Sequence, residues 1–135
     1  MRIIGVDPGT RVTGWGIIES EGTRLRRVCS GTIAPKSEDL AHRLRAIADG
    51  LDAVVAEYSP EVSAVESLFH AKNSQSALKL GHARGAILVS LARADVGVFE
   101  YPPSRIKQAV TNHGRASKEQ VQEMVKLLLG YGEPM

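Results

Sequence analysis

Two short apolar runs in this chain each close on a single carboxylate: Arg2-Ile3-Ile4-Gly5-Val6-Asp7 and Glu61-Val62-Ser63-Ala64-Val65-Glu66. Both carry β-branched residues over about a strand's length. Pro8-Gly9 follows the first and Ser59-Pro60 precedes the second, the punctuation expected around strands. In an open sheet, ligands collect in the crevice beyond the carboxyl ends of parallel strands. If the two runs are parallel neighbours, Asp7 and Glu66 meet there. Two carboxylates about 4 Å apart repel by roughly 4 kcal/mol at an effective dielectric of about 20. A proton, a basic side chain or a divalent cation must compensate, and the cation is the choice that does chemistry.

The elements that must position these acids lie between and around them. Thr13-Gly14-Trp15-Gly16-Ile17-Ile18 leads to a turn at Glu21-Gly22, and a third run spans Arg24 to Ile33. Connections this short predict an antiparallel meander. Ser37 is then expected to cap a helix with Leu40, Leu44, Ile47, Leu51, Val54 and Val55 on one face. That helix stops before Ser59-Pro60, and the strand ending at Glu66 follows, which requires a right-handed crossover. A long helix is expected from about Lys72 to Ala94, with one stripe of Leu80, Ala83, Ile87 and Leu91 and a small one of Ala77, Gly81, Gly85 and Ala92. Interior glycines cost about 1 kcal/mol each relative to alanine, so they call for a close packing partner. This chain's own sheet and a symmetric helix–helix seam both qualify.

Val96 to Tyr101 reads as a last short strand, stopped by Pro102-Pro103. Ser104 to about Thr111 is expected to be helical and carries Arg105 and Lys107; Ser117-Lys118-Glu119-Gln120 has the capping-box pattern of a further helix start. No repeat, linker or low-complexity tract interrupts residues 1–135. The expectation is one α/β domain built on a mixed sheet.

With 135 residues, 43% hydrophobic and 24% charged, the chain is long enough to bury a core unaided. Its one cysteine, Cys29, excludes an internal disulfide framework and a cysteine-based zinc site. His42, His70, His82 and His113 lack the paired spacing of a histidine metal motif. A strand beginning within two residues of the amino terminus, and no apolar stretch of membrane-spanning length, predict a cytoplasmic protein without a signal peptide. Net charge is only +2, but its distribution is uneven. Between Ser67 and Lys118 eight basic residues (Lys72, Lys79, Arg84, Arg93, Arg105, Lys107, Arg115, Lys118) face two acidic ones, Asp95 and Glu100. A basic field around an acidic pocket suits a phosphodiester substrate and its metal, although a solvated helix face would look the same.

Asp7-Pro8-Gly9-Thr10 is a favoured turn for backbone reasons alone. It is also similar to the phosphate loop of actin- and Hsp70-like ATPases, which need two domains that this chain is too short to hold. Phe69, three residues beyond Glu66 in a basic segment, is either ordinary core or a platform for an unpaired base. Four segments together then resemble the RuvC family of Holliday-junction resolvases: Val6-Asp7-Pro8-Gly9-Thr10-Arg11-Val12-Thr13-Gly14-Trp15-Gly16, Glu66-Ser67-Leu68-Phe69-His70-Ala71-Lys72-Asn73, Ser76-Ala77-Leu78-Lys79-Leu80-Gly81-His82-Ala83-Arg84-Gly85 and Ser117-Lys118-Glu119-Gln120-Val121. They occur in order, and the likeness runs over essentially the whole chain.

The resemblance implies a ribonuclease H-like fold, with a mixed five-stranded sheet flanked by helices, acting as a homodimer on four-way DNA junctions. It implies symmetric cutting of two strands of like polarity with magnesium or manganese, and partnership with the branch-migration proteins RuvA and RuvB. Asp7 and Glu66 then correspond to the first two catalytic acids and metal ligands, in a two-metal mechanism that uses oxygen donors. Phe69 corresponds to the junction-stacking aromatic, and Lys107 and Lys118 to phosphate-proximal lysines. Lys118 would lie on a helix's first turn, where free N–H groups favour phosphate; Lys107 would reach the scissile phosphate or hold the backbone. Lys72, Lys79, Arg84 and Arg115 complete the expected DNA-binding set.

One departure stands out. The family carries two further acidic positions, acid-x-x-acid, on a final helix, whereas this sequence ends at Gly130-Tyr131-Gly132-Glu133-Pro134-Met135, and Glu133 before proline is a poor substitute. The expectation is a nuclease domain lacking that helix, which binds metal weakly and cleaves poorly in its 135-residue form. A catalytically inactive junction-binding module of the same fold is the alternative.

Overall fold

The computed structural model describes residues 1–21, 24–66 and 73–101. Five strands and two helices follow in the order β1 (Arg2–Asp7), β2 (Thr13–Glu21), β3 (Arg24–Ile33), α1 (Leu40–Tyr58), β4 (Val62–Glu66), α2 (Ser74–Arg93) and β5 (Gly97–Tyr101). They form one sheet of order β3-β2-β1-β4-β5. The meander β1-β2-β3 is antiparallel, while β1 pairs parallel with β4 and β4 with β5. This is the mixed five-stranded, ribonuclease H-like α/β architecture that the resemblance implied. The expected helices and capping box beyond Tyr101 lie outside the described residues.

Strand β1 is central, and its interior reads buried on four successive residues from Ile3 to Val6, as expected of a strand covered on both faces. Side chains alternate along it. Ile4 and Val6 join Ile17, Val65, Ile47, Leu51, Ile87 and Leu91 in the main core. Ile3, Gly5 and Asp7 therefore share the other face. Trp15 packs against the core over Gly31, where a Cβ would come within 2.7 Å of the Trp15 ring. Only glycine leaves that room.

Asp39, rather than Ser37, caps α1: its carboxylate accepts from His42 N at 3.0 Å and from the His42 ring at 2.7 Å. Ser37 Oγ instead accepts from Asp39 N at 3.1 Å, fixing the cap one step earlier. The helix ends at Ser59 in the left-handed region, φ 50°, ahead of Pro60. Helix α2 starts from Asn73, whose side chain accepts from Ser76 N at 2.8 Å. Its buried residues are Ala83, Ile87, Ser90 and Leu91. Leu80, expected on the buried stripe, is only half-buried, whereas Ser90 is buried with its hydroxyl donated to Asp52 on α1, which also pairs with Arg93 at 2.9 Å. A Cβ on Gly85 would meet nothing within 4 Å. Packing among the described residues does not require that glycine.

Candidate metal centre

The register Ile3↔Val62 to Val6↔Val65 runs parallel, so the next residue of each strand, Asp7 and Glu66, stands beside the other at the strands' carboxyl ends. Both are half-buried. Burial first, then the hydrogen bond that the protonated Glu66 donates to Asp7 and the negative charge of Asp7, push the Glu66 carboxyl up from 4.5 to about 7. Without a cation the pair shares a proton, the first of the three compensations open to it. On the same face of the sheet the neighbouring positions are small: Gly5 and Ala64 pair across β1 and β4, and Gly14 and Gly16 lie on β2. A Cβ on Gly14 would sit 3.8 Å from that of Asp7, so no large side chain shields the carboxylate from that direction.

The turn after Asp7 is tied down locally. Thr13, fully buried, donates its hydroxyl to Gly9 O at 2.8 Å and accepts from Gly9 N at 3.3 Å. A Cβ at Gly9 would lie 2.1 Å from Val12 O, so close approach requires glycine at this turn. From the other side Arg43 Nη2 donates to Thr10 O. These contacts turn a common Asp-Pro-Gly turn into a fixed mount for the first acid.

Basic groups border this end of the sheet. Arg84 Nε reaches Glu66 O at 3.4 Å, and burial lowers the guanidinium's pKa. Lys79, exposed on α2, lines a cleft of about 410 Å³ with Thr10, Arg11, Arg43, Gln75 and His82. The structure thus gathers Asp7, Glu66 and Arg84 at one strand end and sets Lys79 on the adjoining cleft. Phe69, Lys72, Lys107, Arg115 and Lys118 lie outside the described residues. Thr13, Arg43 and Arg11 were not anticipated as parts of the site. Thr13 offered one signal, a polar β-branched residue in a glycine-rich apolar run; Arg43 offered another, a cation in the first turn of a helix.

Oxygen donors on adjacent strand ends, one of them holding a proton through burial and the nearness of the other, fit a hard divalent cation better than a softer metal. Among the described residues no group of three or more His, Cys, Asp or Glu side chains converges. Asp7 and Glu66 therefore make up the described part of any such centre.

Comparison with known proteins gives a consistent result. The profile of the family described as "Crossover junction endodeoxyribonuclease RuvC" matches residues 3–133. The crossover junction endodeoxyribonuclease RuvC of Trichlorobacter lovleyi is 49% identical over 134 residues, covering 98% of this chain and 75% of that protein. The protein of the same name from Geobacter metallireducens is 52% identical, covering 98% and 82%. Among solved structures, Thermus thermophilus RuvC in complex with Holliday junction substrate superposes with a TM-score of 0.77 at 33% identity, covering 100% of this chain and 83% of that one.

Proposed function

This chain belongs to the RuvC family of crossover junction endodeoxyribonucleases, and on that footing we propose that it resolves four-way (Holliday) DNA junctions by metal-dependent phosphodiester hydrolysis in recombination and repair. The observation that carries the reading is the adjacency of Asp7 and Glu66 at parallel strand ends, with the Glu66 carboxyl raised to about 7 by burial and by its neighbour. The likeness to a RuvC solved with its junction substrate supports the choice of DNA.

In this reading Asp7 and Glu66 would together hold the divalent metal, magnesium or manganese. When bound, the ions supply an activated water on one side of the scissile phosphate and stabilise the leaving 3′ oxygen on the other. The chain's own residues do the rest. Thr13 and Gly9 hold the turn behind Asp7, which keeps that carboxylate from following the proton or the ion out of register. Arg84 lies over the Glu66 carbonyl, adding positive potential where phosphate must approach. Lys72, Lys79 and Arg115 track the DNA backbone, Lys107 and Lys118 lie near the cleaved phosphate, and Phe69 stacks on an unpaired base.

The protein acts as a homodimer in the bacterial cytoplasm alongside RuvA and RuvB, as the family membership suggests. The exposed apolar residues Leu78 and Val89 on α2, with open space at Gly85, favour that helix as the dimer seam.

The test is a synthetic four-way junction with Mg²⁺. The full-length protein is expected to give paired, symmetric nicks, and Asp7→Asn to abolish them while binding the junction normally. Cleavage that survives Asp7→Asn removes the metal assignment; failure of both proteins to bind the junction removes the substrate.

A further inference from the structure

The guanidinium of Arg43 spans two loops that nothing in the local sequence connects. It donates to Thr10 O through Nη2 and to Ser37 O at 2.8 Å through Nη1, with a longer contact from Nη1 to Pro35 O at 3.5 Å. Its site is a costly one for a cation. Arg43 is the fourth residue of α1, and the helix dipole and free N–H groups of a first turn disfavour positive charge. Carbonyl oxygens from two loops offset that penalty, and they are the partners it has among the described residues. The loop it grips at Thr10 is the one that leaves Asp7; the other joins β3 to α1.

Resting on the functional reading above, we propose that Arg43 is a positioning residue for the metal centre. By clamping Thr10 to the loop before α1 it sets the direction of Asp7. Thr13 fastens the same turn at Gly9, on the sheet side. The turn is therefore held at two points, and Arg43 is the one that ties it to another layer of the fold. Loss of an outer partner that orients a metal ligand typically costs about 10- to 100-fold in metal affinity or activity. Lysine cannot replace it, because one ammonium does not reach the carbonyls of both loops in the planar arrangement of a guanidinium.

Arg43 also lines the cleft that holds Lys79 and Arg11, so a direct contact with DNA phosphate is the competing role. The two roles separate kinetically. Arg43→Met and Arg43→Lys are expected to lose about 10- to 100-fold in kcat on a four-way junction and a similar factor in Mn²⁺ affinity measured by calorimetry without DNA. Junction affinity in Ca²⁺ should stay at the wild-type value. Millimolar guanidinium should restore much of the Arg43→Met loss. Arg93→Met, which breaks the distant Asp52 pair, controls for plain destabilisation and should leave Mn²⁺ affinity intact.

Unchanged Mn²⁺ affinity in Arg43→Met overturns the proposal. So does a loss confined to junction affinity, or one that Arg93→Met reproduces. If the wild-type protein cuts no junction, the functional reading fails, while the Mn²⁺ comparison still decides the role of Arg43.

Discussion

Asp7 and Glu66 occupy adjacent parallel strand ends, and the Glu66 carboxyl keeps its proton to about pH 7. Burial of Glu66 is the larger cause, and the hydrogen bond and charge of Asp7 are the others. A site that holds a proton against neutral solvent is a site short of positive charge. The same geometry that strains the metal-free pair gives a divalent ion its hold.

This relationship makes stability depend on pH with a definite sign. Glu66 binds its proton at about 7 in the folded chain against 4.5 ordinarily, so between those values the folded state carries more protons than the unfolded state. Stability of the metal-free protein therefore falls as pH rises through that window. The loss should be on the order of 1–2 kcal/mol once solvent screening around the half-buried pair is discounted. Asp7→Asn removes one of the causes and should flatten the fall. Thermal melts in chelator between about pH 5 and pH 8 measure both, and a wild-type melting temperature that rises across the range contradicts the arrangement.

Thr13→Val should cost about 1–3 kcal/mol, because the isosteric change leaves Gly9 N and Gly9 O without their side-chain partner in a half-buried turn. Gly9→Ala should be worse, with its new Cβ 2.1 Å from a backbone oxygen. Urea unfolding gives the comparison. A Thr13→Val protein as stable as wild type would show that water satisfies the turn.

How much of this was legible in the sequence varies with the range of the interaction. Strands β1 and β4 were visible because each is a local apolar run with turn residues beside it. Their adjacency rested on a crossover rule that uses only element order. The helix cap was harder, since Ser37 and Asp39 are both good caps two residues apart. Asp39 won because its carboxylate reaches both the His42 amide and ring. Ser90 was hidden from periodicity because its burial depends on Asp52, far away in sequence. Arg43 was hidden for the same reason: its grip on Thr10 spans 33 residues, and no pattern of neighbours encodes that.

Junction binding should weaken steeply with salt, since log affinity against log salt falls by about 0.9 for each phosphate neutralised on duplex DNA. Lys79 is exposed on the cleft beside the site, and Lys79→Ala should lower that slope by about 1 without changing the preferred cleavage sequence. Fluorescence anisotropy over a salt series measures it. An unchanged slope takes Lys79 off the DNA path.

The most direct test of the central claim is anomalous diffraction from crystals of the protein soaked in Mn²⁺. The account predicts a manganese peak bonded at about 2.1 Å to a carboxylate oxygen of Asp7 and to one of Glu66, with the hydrogen bond between the two acids broken. A well-ordered pair still sharing its proton, with manganese bound elsewhere or nowhere, would contradict it.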